Sequence, residues 1–226
     1  MASISPFKQL VTFTRQTAGL EKSLRLIQAV SWVVGELTLD ATLATQCFAA
    51  RNQLALGRRY FRLLDFYGCF ERVHDLLMGT SSTGTVLSVM ELAEYTFLGL
   101  YLFLENFTIL HDMKVNQVDW YTPLMTEANK FWFYAIILSI ARASWGLFFA
   151  PPPVPTKVAG KDKADEKAKQ STGTPKWPLL KQIIINACDL TLPGSFIGWT
   201  PVTGLQIGAA MVVSTVLAGH GIWVGM

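Results

Sequence analysis

Residues 201–224, PVTGLQIGAAMVVSTVLAGHGIWV, contain no ionisable side chain except His220. A bilayer core about 30 Å thick is crossed by roughly 20 helical residues, so this segment is long enough to span. A second run, FWFYAIILSIARASWGLFFA at 131–150, carries a single charge, Arg142. A third, 86–110, is dense in leucine and aromatics but holds Glu91, Glu94 and Glu105. Charges at bilayer depth cost several kcal/mol each and generally face protein or water. The 86–110 helix is therefore expected to line a polar interior or to pack, partly inserted, on a bundle. Composition agrees with lipid as a solvent. Hydrophobic residues make up 51% of the chain and charged residues 15%, against about a quarter charged in soluble domains.

The punctuation is helical. Ser5-Pro6, Thr122-Pro123, Trp177-Pro178 and Thr200-Pro201 each place proline where a helix can begin, since the first helical N–H is unpaired in any case. Ser88 and Glu91 have capping-box spacing. No Asn-Gly or Asp-Gly hairpin joins alternating runs. The expected fold is all-α: an integral membrane protein with N-terminal amphipathic helices, apolar helices 86–110 and 131–150, and a C-terminal transmembrane helix.

Four regions follow. Residues 1–85 hold amphipathic helices at 6–18, 20–36, 40–56 and 58–78, with Gly19 as a stop and a GTSSTGT loop at 79–85. Residues 86–150 hold the two apolar helices, at least one of them spanning. Residues 151–177, rich in lysine and proline, are expected to be a disordered linker. Residues 178–226 hold a short amphipathic helix, 178–191, and the final span. The first residues lack a secretory h-region and the last ones an ER or peroxisomal-matrix tripeptide, so membrane entry is expected through internal segments.

The stretch ALGRRYFRLLDFYGCFERVHDLL, residues 55–77, is apolar and basic together. On a helical wheel Leu56, Tyr60, Leu63, Leu64, Phe66, Tyr67 and Phe70 share one sector, and Arg58, Arg62, Asp65 and Arg72 lie opposite, with Arg59 at the flank. Such a helix suits a membrane interface, aromatics among the headgroups and arginines on phosphates. It suits a bundle core with a solvated basic face equally well. Asp65 interrupts the basic face, and the net charge is only +3, so no nucleic-acid partner is expected.

Two motifs carry a family resemblance. EKSLRLIQ, with Lys22, Leu24, Arg25 and Gln28, resembles a stretch near the start of the peroxin-eleven family of peroxisome-proliferating membrane proteins. GRRYFRLL, from Gly57 to Leu64, is similar to that family's basic signature, in the same order and separation. Leu64-Asp65 and Ala29 depart from the common pattern and suggest a divergent, fungal-type branch. The resemblance implies residence in the peroxisomal membrane with a cytosolic N-terminal region. It also implies elongation and fission of that membrane by amphipathic-helix insertion, self-association, and contact with family members and fission machinery. The alternative it implies is a channel for small metabolites, in which Glu91, Glu94, Glu105 and Arg142 would face a water-filled path.

Gly204 and Gly208 are four apart in the last span, a spacing that lets helix backbones approach closely, and are read as a self-association face. No phosphate loop, HExxH or GxSxG motif occurs. His74, His111 and His220 are isolated, and Cys47, Cys69 and Cys188 have neither metal-ligand nor disulfide-framework spacing. No catalytic residue, metal or cofactor is expected; the expected partners are membrane lipids and further copies of the chain.

Overall fold

The computed structural model describes residues 5–79, 85–149 and 176–225. All its regular structure is helical, as the sequence leads one to expect. The helices are α1 (Pro6–Arg15), α2 (Thr17–Leu37), α3 (Ala41–Phe61), α4 (Asp65–Leu77), α5 (Thr85–Phe107), α6 (Ile109–Asp112), α7 (Tyr121–Phe149), α8 (Lys176–Asp189), α9 (Thr191–Phe196) and α10 (Gly204–Val224). Three of them, Val86–Phe107, Tyr121–Phe149 and Gly204–Val224, are long and apolar enough to cross a membrane.

Local chemistry explains most boundaries. Ser5 caps α1, accepting from the Lys8 amide at 3.3 Å, with Pro6 in the first turn. Asp40 caps α3 through the amides of Thr42 and Leu43. Thr203 and Gln206 form a reciprocal capping box on α10. That box moves the start of the last helix from the expected Pro201 to Gly204. Ser88 and Glu91 form no cap, because α5 begins before them.

Other boundaries differ from expectation. Gln16, extended at φ −80° and ψ 132°, separates α1 from α2; Gly19 lies inside α2. Its part is a close approach, since a Cβ there would collide with the Phe13 carbonyl. Residues 54–78 are not one helix: the chain turns at Arg62–Leu64, with Arg62 donating its amide to the Arg59 carbonyl at 3.1 Å. The helix expected at 131–150 begins at Tyr121 and runs for 29 residues. The 151–177 linker lies outside the described residues except for Lys176 and Trp177, which open α8, and most of the GTSSTGT loop lies outside them too.

Packing is antiparallel. α2 pairs with α3 through Gly35 against Cys47 and Phe48, and through Glu21 against Arg58. It pairs with α10 through Glu36 at Gly204, Val33 at Gly208 and Arg25 at Ser214. α5 lies antiparallel to α4, with Phe66 on Phe103 and Arg72 on Glu91. It lies antiparallel to α7, with Tyr101 stacked on Trp132 at 4.9 Å and Glu94 on Arg142. α8 closes the bundle between α7 and α10, where Leu179 meets Gly146 and Lys181 meets Gly221.

The bundle thus has two ends. One gathers α1, the C-termini of α7 and α10 and the N-terminus of α8. The other holds the α2–α3 corner at residues 38–40 and the approach to α10 at residues 197–203.

Candidate functional site

The bundle exposes many large apolar side chains and buries charged and polar ones among its core residues. α2 makes the pattern plain: it buries Glu21, Arg25 and Gln28, while Ile27, Val30, Val34 and Leu37 are exposed, Leu37 by 62%. α5 likewise buries Glu91 and Glu105 and exposes Val86, Val89, Phe103 and Phe107. α10 buries Gly208, Ser214 and Thr215 and exposes Leu205, Val213 and Val216. Water would oppose this distribution, because large exposed apolar areas on soluble chains mark a missing partner. A hydrocarbon solvent favours it, since polar groups then gain by turning inward.

The arginines of GRRYFRLL sit inside. Arg58 donates through Nε to Glu21 at 2.7 Å and through Nη1 to the Gln28 side-chain oxygen at 2.8 Å. Arg59 pairs with Asp112 and also donates to the Glu105 carbonyl and to Thr108 Oγ1, the last at 2.6 Å. Arg62 reaches Glu105 at 3.4 Å, and Arg72 pairs with Glu91 at 2.6 Å. The arginines expected to form a basic face on phosphates each meet a carboxylate: Arg58, Arg59 and Arg62 largely inside the bundle, Arg72 with 40% of its side chain exposed. In a bundle with apolar surroundings, a guanidinium gains more from an internal carboxylate than from an outward position.

The apolar residues of the same stretch do face outward. Tyr60, Leu63, Leu64, Tyr67 and Phe70 are exposed, Leu64 and Tyr67 by 64% each, while Leu56 and Phe66 are half-buried. Phe66 stacks on Tyr67 at 4.2 Å and meets Phe103 edge-on at 5.6 Å. The turn at Arg62–Leu64 divides this outer face between α3 and α4; the Asn106 amide holds the turn by donating to the Leu63 carbonyl at 2.7 Å.

The two motifs that carry the resemblance meet one another. Glu21 and Gln28 of α2 bracket Arg58 of α3. Lys22 pairs with Glu21 at 2.8 Å, Arg25 binds Asp189 and reaches Ser214 Oγ at 3.3 Å, and Leu24 is half-buried. Ser214 is the middle residue of α10, so this charged layer lies near mid-length of an apolar span.

Around the layer is a cavity of about 770 Å³. Five cationic groups (Lys22, Arg25, Arg58, Arg59, Arg62) and four anionic ones (Glu21, Asp65, Glu105, Asp189) line it, together with Leu98, Tyr101, Trp132, Leu192 and Met211. Sequence reasoning missed this chamber and the role of Asp189, which has no signal in its own neighbourhood.

Gly204 and Gly208 are engaged within the chain. A Cβ on Gly204 would collide with the Glu36 carboxylate, and one on Gly208 would lie 2.9 Å from Val33 Cγ2. The expected self-association face is thus corrected to the α2–α10 contact, where small residues serve the same close approach between helices of one molecule.

The sequence model of Peroxisomal biogenesis factor 11 (PEX11) matches residues 7–223. No curated protein and no solved structure matches the chain.

Proposed function

The chain belongs to the peroxisomal biogenesis factor 11 family, and from that premise we propose that it elongates the peroxisomal membrane through the apolar outer faces of α2, α3 and α4, which meet lipid. Its role is in peroxisome biogenesis, at the peroxisomal membrane. The observation that carries the finer reading is the outward set Tyr60, Leu63, Leu64, Tyr67 and Phe70 on a helix pair whose arginines point inward. Even half of the ~1.5–3 kcal/mol per large side chain holds such a face at an interface.

The orientation follows from basic residues. Lys8, Arg15, Lys176 and Lys181 lie toward the end that holds α1 and the C-terminus. The sequence between α7 and α8 holds Lys157, Lys161, Lys163, Lys167 and Lys169. The opposite end has Lys114 against Asp40, Asp112 and Asp119. Basic loops favour the cytosol, so the N-terminal region and both ends of the linker are assigned there. These lysines and Arg15 take over the attraction to anionic headgroups that the inward arginines do not supply. Trp145, Phe148, Phe149 and Trp177, exposed at the same end, suit the interfacial belt.

Self-association belongs to this reading only through surfaces other than Gly204 and Gly208. The channel reading receives less support, because Glu91, Glu94, Glu105 and Arg142 are each closed in an ion pair.

The test is reconstitution of the full-length chain into anionic liposomes imaged by electron cryomicroscopy. The wild type is expected to draw tubules, and Leu64→Glu/Tyr67→Glu to leave vesicles spherical while retaining its thermal unfolding midpoint. Equal tubulation by the folded double variant would reject this role for the outer face. Solute efflux without tubulation would favour the channel.

A further inference from the structure

We propose that the cavity between α2, α3, α5 and α10 binds a singly charged oxyanion carried on an apolar body. Such binding is independent of curvature generation and needs only the bundle already described. The five cationic groups of the wall are matched in charge by its four acids and by Asp112, which pairs with Arg59 from a neighbouring cavity. Donors are nonetheless in surplus. Four guanidiniums offer about twenty N–H groups, and a carboxylate accepts at roughly four positions.

The surplus is visible atom by atom. The Nε–H groups of Arg25, Arg59 and Arg62 are buried and make no hydrogen bond. Arg25 and Arg59 are themselves only 6% and 9% exposed. The nearest acid to Arg59 Nε is Glu105, at 3.6 Å, outside hydrogen-bonding range. A buried charged donor without an acceptor is costly, and an oxyanion offers several acceptors at once.

The lining also has apolar members, Leu98, Trp132, Leu192 and Met211. The cavity volume of about 770 Å³ is far more than a bare ion needs and falls within the roughly 300–1,000 Å³ of organic-ligand pockets. The combined chemistry is an anionic head among arginines and an apolar body against Trp132 and Met211. A phosphodiester lipid taken from the bilayer and a water-soluble organic phosphate both present it.

The full-length chain in neutral maltoside micelles, and in phosphatidylcholine nanodiscs with and without phosphatidic acid, allows the test. Trp132 provides the local signal, taken as the emission difference between wild type and Trp132→Phe. Decyl phosphate is expected to change that difference and raise the unfolding midpoint, whereas the neutral amphiphile decyl maltoside does neither. Arg62→Lys, which keeps the charge opposite Glu105 but removes the fork, is expected to weaken the apparent affinity about tenfold, the worth of one charge-assisted hydrogen bond. A response to phosphatidic acid alone assigns the site to lipid, and a response to decyl phosphate alone to a soluble anion. The proposal is overturned if neither changes the Trp132 signal, if decyl maltoside changes it equally, or if folded Arg62→Lys binds as the wild type does. A full response to inorganic phosphate alone would overturn the apolar half. The comparison of charged and neutral amphiphiles uses the wild type, so it stands even where an arginine variant does not fold.

Discussion

Arg58 of α3 and Glu21 of α2, thirty-seven residues apart, are joined at 2.7 Å with both side chains almost wholly buried. The pair fastens the two helices, and Gln28 fixes the guanidinium from the other side at 2.8 Å. Removing one partner of a buried pair strands the other charge, which costs about 3–5 kcal/mol. Glu21→Gln is therefore expected to destabilise the bundle by about 3 kcal/mol in denaturant titration in micelles. Glu21→Leu with Arg58→Met is expected to recover most of the loss, because no charge is then left buried. A Glu21→Gln variant as stable as the wild type would contradict the pairing.

Gly208 admits Val33 of α2 to van der Waals distance. Gly208→Leu forces the helices apart, an overpacking cost of about 1–3 kcal/mol. The expected result is a lower unfolding midpoint with unchanged crosslinking between copies. Reduced crosslinking at an unchanged midpoint would restore the glycine stripe to an intermolecular role.

Orientation is open to impermeant thiol reagents on intact peroxisomes. On a background lacking Cys47, Cys69 and Cys188, a cysteine at Thr14 is expected to be labelled from the cytosol and one at Leu39 to be protected until detergent is added. Leu39 is fully exposed at the far end of the bundle. Labelling of both before detergent, or of Leu39 alone, would reverse the assignment.

Helix type and the three long apolar helices were legible because they are local: proline and serine at Pro6, the charge-free run before Val224, the leucine-rich run after Thr85. The α7 start was not, because Glu127 and Lys130 read as polar; they form an exposed ion pair at 2.6 Å on the helix. The GRRYFRLL arginines misled for a different reason. A helical wheel orders side chains around an axis but does not say which side is solvent. Here the partners Glu21, Glu91, Glu105 and Asp112 come from other helices. The glycine pair failed likewise, since its spacing names a close contact without naming the helix that makes it.

The account depends most on lipid, not water or protein, covering the outer faces of α2 and α4. Single spin labels at Val30, Val34 and Tyr67 in reconstituted full-length chain test this through collision with oxygen, which concentrates in the bilayer, and with a water-soluble nickel chelate. High oxygen and low nickel accessibility at all three positions is the predicted result; nickel accessibility equal to that at Leu39, or shielding from both reagents, would contradict it.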